Sequence, residues 1–182
     1  MTHSIIFSGF GGQGIMLMGQ LLTQAGMQAG KKVSWIPSYG PEMRGGTAYC
    51  SVTISDEAIG SPVITEPNVV VAMNLPSVTR FAPQIVPGGT LIINSSLAPD
   101  LVARKDITQV QAPMNAIADE LGNPKVLNMI GLGVLIAACQ PVTREEMING
   151  MEAMLGKKFA SKPKILELNR TALQKGMDQV KK

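Results

Sequence analysis

The feature that most constrains the fold is an apolar run that ends in glycines and continues into a helix-forming segment. Residues 4–8, Ser-Ile-Ile-Phe-Ser, have the composition of a short buried strand. Residues 9–14, Gly-Phe-Gly-Gly-Gln-Gly, predict a tight turn, and residues 15–29 contain no proline and many helix formers. A strand, a glycine-rich turn and a helix in this order predict the opening of a βαβ unit.

The alternation continues along the chain and gives way to helices. Apolar runs between turn residues predict further strands at 32–36, 47–55, 68–74 and 90–94. Helices are predicted at 76–85, 115–121, 126–139, 144–155 and 165–180. Thr143 and Glu146 have the spacing of a capping box at the start of one of these helices.

These elements predict one α/β domain over residues 1–182, a length that suits a single domain. We expect a Rossmann-like, three-layer architecture in which a mostly parallel sheet is flanked by helices. Residues 1–140 would hold the core sheet and its helices. Residues 141–182 would form a helical C-terminal segment, which we interpret as packing helices only.

The composition limits the partners of the chain. Its formal net charge of +3 is too small to indicate nucleic-acid binding. Only 16% of the residues are charged, against about 25% in a typical soluble domain. A monomer needs a charged surface, so this deficit favours a buried contact with other subunits, or self-association of the isolated chain. The alternative is an ordinary compact domain that is poor in charge.

The two cysteines, Cys50 and Cys139, are far apart and have apolar neighbours. Neither belongs to a Cys-x-x-Cys pair, so we predict no metal site or iron–sulfur cluster in this chain. Buried free thiols suit a reducing cytoplasm. Residues 1–7 lack the basic start of a signal peptide, and the apolar run 129–139 is shorter than the about 20 residues that span a bilayer. We therefore expect a cytoplasmic protein without a membrane contact.

The glycine-rich turn is the first candidate binding site. Gly9, Gly11 and Gly14 match Gly-x-Gly-x-x-Gly, in which the turn and the following helix N-terminus hold a phosphate. Dinucleotide sites of this kind have an acidic residue about 20 residues further on, but residues 34–38 contain none. The pattern therefore favours another phosphate-bearing ligand or a protein surface over NAD. A turn that binds nothing is the alternative.

The second candidate is the loop at 37–46, which contains Tyr39, Glu42 and Arg44. An arginine there could clamp a carboxylate or a phosphate. The charged side chains could instead pair with a partner chain, or the loop could be a solvated turn. Its length and its many turn residues exceed the needs of a simple connection, which favours a function or an interface.

Other polar residues give weaker indications. Those at 74–77 and 94–96 follow predicted strands, where ligands of open α/β sheets bind, but the same residue types cap helices. His3 is the only histidine, and we expect it to be exposed on a terminal strand edge. No Ser/His/Asp set or metal cluster can be assembled around it. We therefore predict no catalytic residue and no metal ligand.

Several groups of residues recur in one known family, in this order and at similar spacing. They are 9–15, 38–47, 54–56 with Ile59 and residues 61–62, 87–89, and 94–96. These motifs, which cover about residues 5–140, resemble the gamma chain of the 2-oxoacid:ferredoxin oxidoreductases. The most specific of them is Tyr-Gly-Pro-Glu-x-Arg-Gly-Gly at 39–46.

The resemblance implies an accessory subunit. Enzymes of that family oxidatively decarboxylate a 2-oxoacid with coenzyme A and yield an acyl-CoA, CO2 and reduced ferredoxin. Thiamine diphosphate lies between the alpha and beta chains, and the iron–sulfur clusters lie in the beta chain and in a ferredoxin-like chain. The gamma chain is an α/β domain that packs on these partners and is thought to help receive coenzyme A.

By this resemblance, the candidate phosphate turn for coenzyme A consists of Gly9, Gly11, Gly12, Gln13 and Gly14. The resemblance also implies that Tyr39, Glu42 and Arg44 face the partner chains or the cofactor. The loop is most similar to chains of 2-oxoglutarate and branched-chain 2-oxoacid enzymes, and we favour 2-oxoglutarate. Two alternatives stay open: a stand-alone nucleotide-binding protein, and the equivalent subunit of an indolepyruvate oxidoreductase.

Overall fold

The structure, a computed structural model, describes residues 1–38 and 47–180. Its strands are β1 (Thr2–Phe10), β2 (Lys32–Ser38), β3 (Thr47–Ser55), β4 (Val69–Ala72), β5 (Thr90–Asn94) and β6 (Thr108–Ala112). Its helices are α1 (Ile15–Gln28), α2 (Leu75–Phe81), α3 (Met114–Glu120), α4 (Leu127–Cys139), α5 (Arg144–Leu155) and α6 (Pro163–Met177). Short 3-10 turns lie at Ala82–Gln84 and Pro124–Val126. All of these strands and helices except β6 overlap an element that the sequence predicts.

The six strands form one sheet in the order β2-β3-β1-β4-β5-β6. Strands β1, β4, β5 and β6 are parallel, whereas β3 runs antiparallel to both β1 and β2. The predicted α/β fold class is confirmed. The antiparallel pair β2–β3 was not predicted, and its cause is the short connection at 39–46, since a parallel crossover needs a dozen or more residues.

Strand β6 was missed because its sequence carries a weak signal. Thr108–Ala112, Thr-Gln-Val-Gln-Ala, has one apolar β-branched residue, Val110, between two glutamines. Tertiary pairing with β5 at the edge of the sheet stabilises it instead. An edge strand is half-exposed, so polar residues are tolerated there.

Alternating side chains of the sheet build two hydrophobic layers. Ile5 and Phe7 of β1 belong to the larger layer, whose helices include α1 and α4, and Ile6 belongs to the smaller layer under α2. Helix α5 packs against α1, and α6 packs against α4. Val69–Ala72 is buried at every position, as expected of a strand covered on both faces.

The capping box at the start of α5 is confirmed. The Thr143 hydroxyl accepts a hydrogen bond from the N–H of Glu146 at 3.2 Å, and the Glu146 carboxylate accepts one from the N–H of Thr143 at 2.7 Å. Two otherwise unsatisfied donors are thereby paired at the helix start. The box fixes where α5 begins after the turn that leaves α4.

The expectation that His3 is exposed on a strand edge is wrong. Strand β1 lies between β3 and β4, and His3 is only 8% exposed. Burial lowers the pKa of its imidazole below the ordinary 6.5, and the positive charges of Lys31 and of the N-terminal amine lower it further, against a smaller opposite effect of Asp56. His3 is therefore a neutral core residue near pH 7.

We expect the folded chain to lose stability as the pH falls below 6.5. The unfolded state then binds a proton at His3 that the folded state accepts only at lower pH, so the free energy of unfolding decreases with falling pH. Thermal midpoints measured between pH 7.5 and 5.5 test this. In a His3→Gln variant the dependence over this range should flatten, and an equally steep dependence would contradict the assignment.

Cys50 is a buried free thiol, as predicted, whereas Cys139 is half-buried. Burial raises the pKa of the Cys50 thiol to about 12, although the neighbouring Trp35 indole opposes this, and its S–H donates to the carbonyl of Ile15 at 3.4 Å. Because the thiolate is the reactive form, we expect Cys50 to resist Ellman's reagent in the folded chain at pH 8 and to react once guanidinium unfolds it. A Cys139→Ala variant isolates this signal, and rapid labelling of the folded variant would contradict the burial.

None of the helices in the described part of the chain combines the length and the apolar character that crossing a membrane requires.

Candidate functional site

The chain leaves β1 and β4 toward opposite faces of the sheet. After β1 it enters α1 on the larger layer, and after the neighbouring β4 it enters α2 on the smaller layer. Such a reversal opens a crevice at the carboxyl ends of the two strands, where ligands of open α/β sheets bind. We call the space between Gly9–Gly14 and Asn74–Ser77 the switch-point crevice.

The glycines of the turn serve different purposes. A Cβ at Gly9 would lie 2.9 Å from Cβ of Met73, and one at Gly14 would lie 2.9 Å from Cβ of Asn128, so both positions need glycine for packing. Gly12 has a φ of +92°, and a Cβ there would meet nothing within 4 Å. Gly12 therefore presents backbone to open space, as expected where a ligand approaches the turn closely.

Gln13 shapes the turn from within. Its Oε1 accepts a hydrogen bond from the N–H of Phe10 at 2.6 Å, and its Nε2 donates to the carbonyl of Met73 at 3.4 Å. The side chain thus closes the turn and ties it to the end of β4. Both ends of the amide are engaged, so the structure gives Gln13 a shaping role.

The start of α1 has the electrostatics of an anion site. Its N-cap, Gly14, is left-handed with φ 79° and supplies no side-chain hydrogen bond, and the first turn holds no acidic residue. The N–H groups of a first helical turn lack intrahelical partners and carry partial positive charge. A phosphate at this end would satisfy them.

Asn74 and Ser77 are buried at the start of α2, across from the glycine-rich turn. The Oδ1 of Asn74 accepts hydrogen bonds from the N–H of Ser77 at 2.9 Å and from its hydroxyl at 2.7 Å, which caps α2. The hydroxyl of Ser8 on β1 donates to that of Ser77 at 2.9 Å. The three side chains therefore form one buried chain of hydrogen bonds that joins β1 to α2.

Asn94, at the end of β5, also has a structural role. Its Nδ2 donates to the carbonyl of Met73 at 3.2 Å and to Oδ1 of Asn115 at 2.7 Å, and its Oδ1 accepts from the N–H of Met114 at 3.1 Å. The polar residues predicted after β4 and β5 thus lie at the carboxyl edge, as expected. Their contacts show that both asparagines hold neighbouring segments together.

Tyr39, Glu42 and Arg44 lie outside the described residues. The described residues on either side of them are Ser38, at the end of β2, and Thr47, at the start of β3. Both lie at the same end of the strands as the glycine-rich turn, because Thr47 pairs with Phe10. Their proposed role therefore stays a prediction from the sequence.

Asn128 is a site residue that the sequence analysis missed. It lies at the start of α4, is 5% exposed, and contacts Gly14 at the start of α1. It is the only polar residue in the otherwise apolar segment of α4, and that isolation was the available signal. Among the described residues, no group of three potential metal ligands exists, so nothing in this part of the chain suggests a metal centre.

Comparison with known proteins identifies similar chains. The sequence model for pyruvate ferredoxin/flavodoxin oxidoreductase matches residues 4–179. Subunit VorA of the ketoisovalerate oxidoreductase of Methanothermobacter marburgensis is 37% identical over 96% of this chain and 36% of its own length. Subunit KorC of the 2-oxoglutarate synthase of Methanocaldococcus jannaschii is 35% identical over 81% of this chain and 80% of its own length. The chain thus spans about a third of the length of the VorA proteins that it matches.

A solved structure supports the fold. The gamma subunit of the keto/oxoacid ferredoxin oxidoreductase of Geobacter sulfurreducens has a TM-score of 0.82 to this chain and is 27% identical in sequence. The match covers 97% of each chain. The sheet and its helices therefore have the arrangement of that subunit.

Proposed function

The chain belongs to the pyruvate ferredoxin/flavodoxin oxidoreductase family, as a gamma-type subunit, and from this membership we propose that it assembles into a 2-oxoacid:ferredoxin oxidoreductase. The complex oxidatively decarboxylates a 2-oxoacid with coenzyme A and releases an acyl-CoA, CO2 and reduced ferredoxin. This chain contributes binding and assembly rather than a catalytic residue. The observation that carries the proposal is the match to KorC over most of both chains.

The match to VorA supports the proposed partners. In VorA the same domain is covalently joined to about twice its own length of further polypeptide. A domain that is fused in one relative is expected to contact the corresponding domains where they are separate chains. We propose that these are alpha, beta and ferredoxin-like subunits, which hold thiamine diphosphate and the iron–sulfur clusters, and that the charge-poor surface of this chain packs on them.

We favour 2-oxoglutarate as the substrate. KorC, a subunit of a 2-oxoglutarate synthase, is 35% identical to this chain over 81% of its residues. The loop motif at 39–46, which resembles that of 2-oxoglutarate enzymes, supports the same choice. We propose that the pocket for the 2-oxoacid lies mainly in the partner subunits.

The switch-point crevice suits the phosphate-bearing part of coenzyme A. Open space at Gly12 and the first turn of α1, free of acidic residues, fit an anionic group. Coenzyme A supplies the thiol that takes up the acyl group, and this chain would hold it by phosphate. We propose that Tyr39, Glu42 and Arg44, from a segment that begins and ends at the same edge, face coenzyme A or the partner chains.

Anaerobic affinity purification of the tagged chain from its native cells tests the proposal. We expect thiamine-binding and cluster-bearing chains to co-purify, with dye reduction that requires both 2-oxoglutarate and coenzyme A. Pyruvate and 2-oxoisovalerate serve as comparison substrates. A preference for either would support the proposed complex but contradict the choice of 2-oxoglutarate as its substrate. Recovery of a single chain with a bound nucleotide would instead favour an independent nucleotide-binding protein.

A further inference from the structure

Asn74 carries a buried hydrogen-bond donor that the protein does not use. The residue is 1% exposed, and its Oδ1 accepts from the backbone N–H of Ser77. Because a backbone N–H can only donate, this contact settles which atom of the amide is oxygen. The other atom, Nδ2, therefore carries two protons, and no described residue accepts either of them.

An unpaired buried donor is costly to a folded protein. Burying such a group without a partner forfeits its hydrogen bonds to water without replacement, and native structures pair nearly all such groups. The other buried donor without a hydrogen-bond acceptor in the described residues, the indole of Trp35, at least lies beside the sulfur of Cys50. Asn74 differs because it follows the carboxyl end of β4, next to the point where β1 and β4 lead to opposite faces and where ligands of open α/β sheets bind.

The position of Asn74 follows from the strand register. The N–H of Met73 donates to the carbonyl of Ser8 at 2.8 Å, which continues the pairing of β4 with β1 beyond Ala72. Asn74 is the next residue, directly across from the turn, whose Gln13 donates to Met73. The contact of Asn74 with Ser77 places its amide on the α2 side of the crevice, opposite the start of α1.

We propose that Asn74 is a ligand-binding residue, whose Nδ2 donates to a phosphate oxygen of the group held by the glycine-rich turn. A phosphate oxygen only accepts hydrogen bonds, which matches a donor with two free protons. The first turn of α1 would bind the same group from the other wall. This inference rests on the proposed function, because coenzyme A is the phosphate-bearing ligand it uses.

The test is Asn74→Asp in the purified complex. Aspartate keeps the oxygen that caps α2 but replaces the donor with an anion that repels a phosphate. We expect the KM for coenzyme A to rise at least about tenfold, with the KM for the 2-oxoacid and kcat at saturating coenzyme A nearly unchanged. The selective rise in the KM for coenzyme A distinguishes ligand binding from capping, since a lost cap lowers the thermal midpoint and leaves this KM alone.

Two further variants sharpen the test. Asn123→Asp is the matched control, because Asn123 also caps a short helical turn through its side-chain oxygen, with the N–H of Lys125 as donor. It should leave every parameter unchanged. Asn74→Ser keeps a capping oxygen and removes both amide protons without adding charge, so a smaller rise in the KM for coenzyme A is expected. If the Asn74→Asp variant does not fold, the KM of the Asn74→Ser variant for coenzyme A tests the role of Asn74 instead.

The outcomes separate this inference from the proposed function. A complex that turns over with coenzyme A, and whose Asn74→Asp and Asn74→Ser forms keep the wild-type KM, overturns the role of Asn74 and leaves the proposed function intact. If no partner co-purifies, calorimetric titration of coenzyme A into the full chain decides instead. Binding that both variants weaken supports Asn74 alone, and an absence of binding by the wild type overturns both.

Discussion

Replacing Gly133 with alanine is expected to loosen the packing of α6 on α4 and to lower the thermal midpoint substantially. A Cβ at Gly133 would overlap the carbonyl oxygen of Leu173 and lie 2.9 Å from the backbone nitrogen of Met177. Gly176 on α6 is equally close to the carbonyl of Ile130 on α4. The obstructing atoms are backbone, so a side-chain rotation cannot relieve the overlap.

The size of the effect follows from two opposing contributions. Overpacking costs about 3 kcal/mol or more where the surroundings cannot yield, and the better helix propensity of alanine returns about 1 kcal/mol. We therefore expect a net loss of about 2 kcal/mol or more in the free energy of unfolding, or roughly 4–8 °C in the thermal midpoint for a chain of this size.

Gly60→Ala is the control for this prediction. A Cβ at Gly60 would meet nothing within 4 Å, so the free energy of unfolding should change by no more than the roughly 0.5 kcal/mol typical of surface substitutions. Differential scanning calorimetry of both variants measures the difference. A Gly133→Ala variant with the same thermal midpoint as the wild type would show that α4 and α6 are further apart than described.

The largest functional effect is expected for Gly12→Asp. Gly12 faces open space on the glycine-rich turn, so a carboxylate there would lie close to where we propose that the phosphate of coenzyme A binds. Two unit charges about 4 Å apart repel by about 4 kcal/mol at a surface-like dielectric. About 1.4 kcal/mol corresponds to a tenfold change in affinity. Because salt screens part of this repulsion at the exposed turn, we expect the KM for coenzyme A to rise by about 100-fold rather than by the full amount.

Two variants separate charge from backbone strain. Asparagine has nearly the shape of aspartate and tolerates a positive φ, so Gly12→Asn should change the KM for coenzyme A much less. Gly30 is also left-handed, with φ +76° and open space around it, at the far end of α1, so Gly30→Asp should have no effect on the KM. Equal KM values for coenzyme A in Gly12→Asp and Gly12→Asn would contradict the proposal that a phosphate binds at this turn.

The fold was largely predictable from the sequence, because its signals are local. Val69–Ala72 is apolar at every position, Ile15–Gln28 holds a run of helix formers, and Thr143 with Glu146 marks a helix start. Each of these patterns depends only on neighbouring residues. The turn at 9–14 was found for the same reason, since its glycines adjoin a strand and a helix.

The tertiary structure decided what depends on distant residues. The direction of β3, the existence of β6, the burial of His3 and the contact of Asn128 with Gly14 all arise from pairings between segments far apart in the chain. The unpaired amide donor of Asn74 also depends on distant residues. The sequence predicts only that this asparagine caps a helix, and the tertiary structure reveals which atom of its amide has no partner. The sequence by itself therefore determined the elements and the glycine-rich turn. Burial and hydrogen-bond partners, which are properties of the packed chain, determined how that turn is tied to the neighbouring segments.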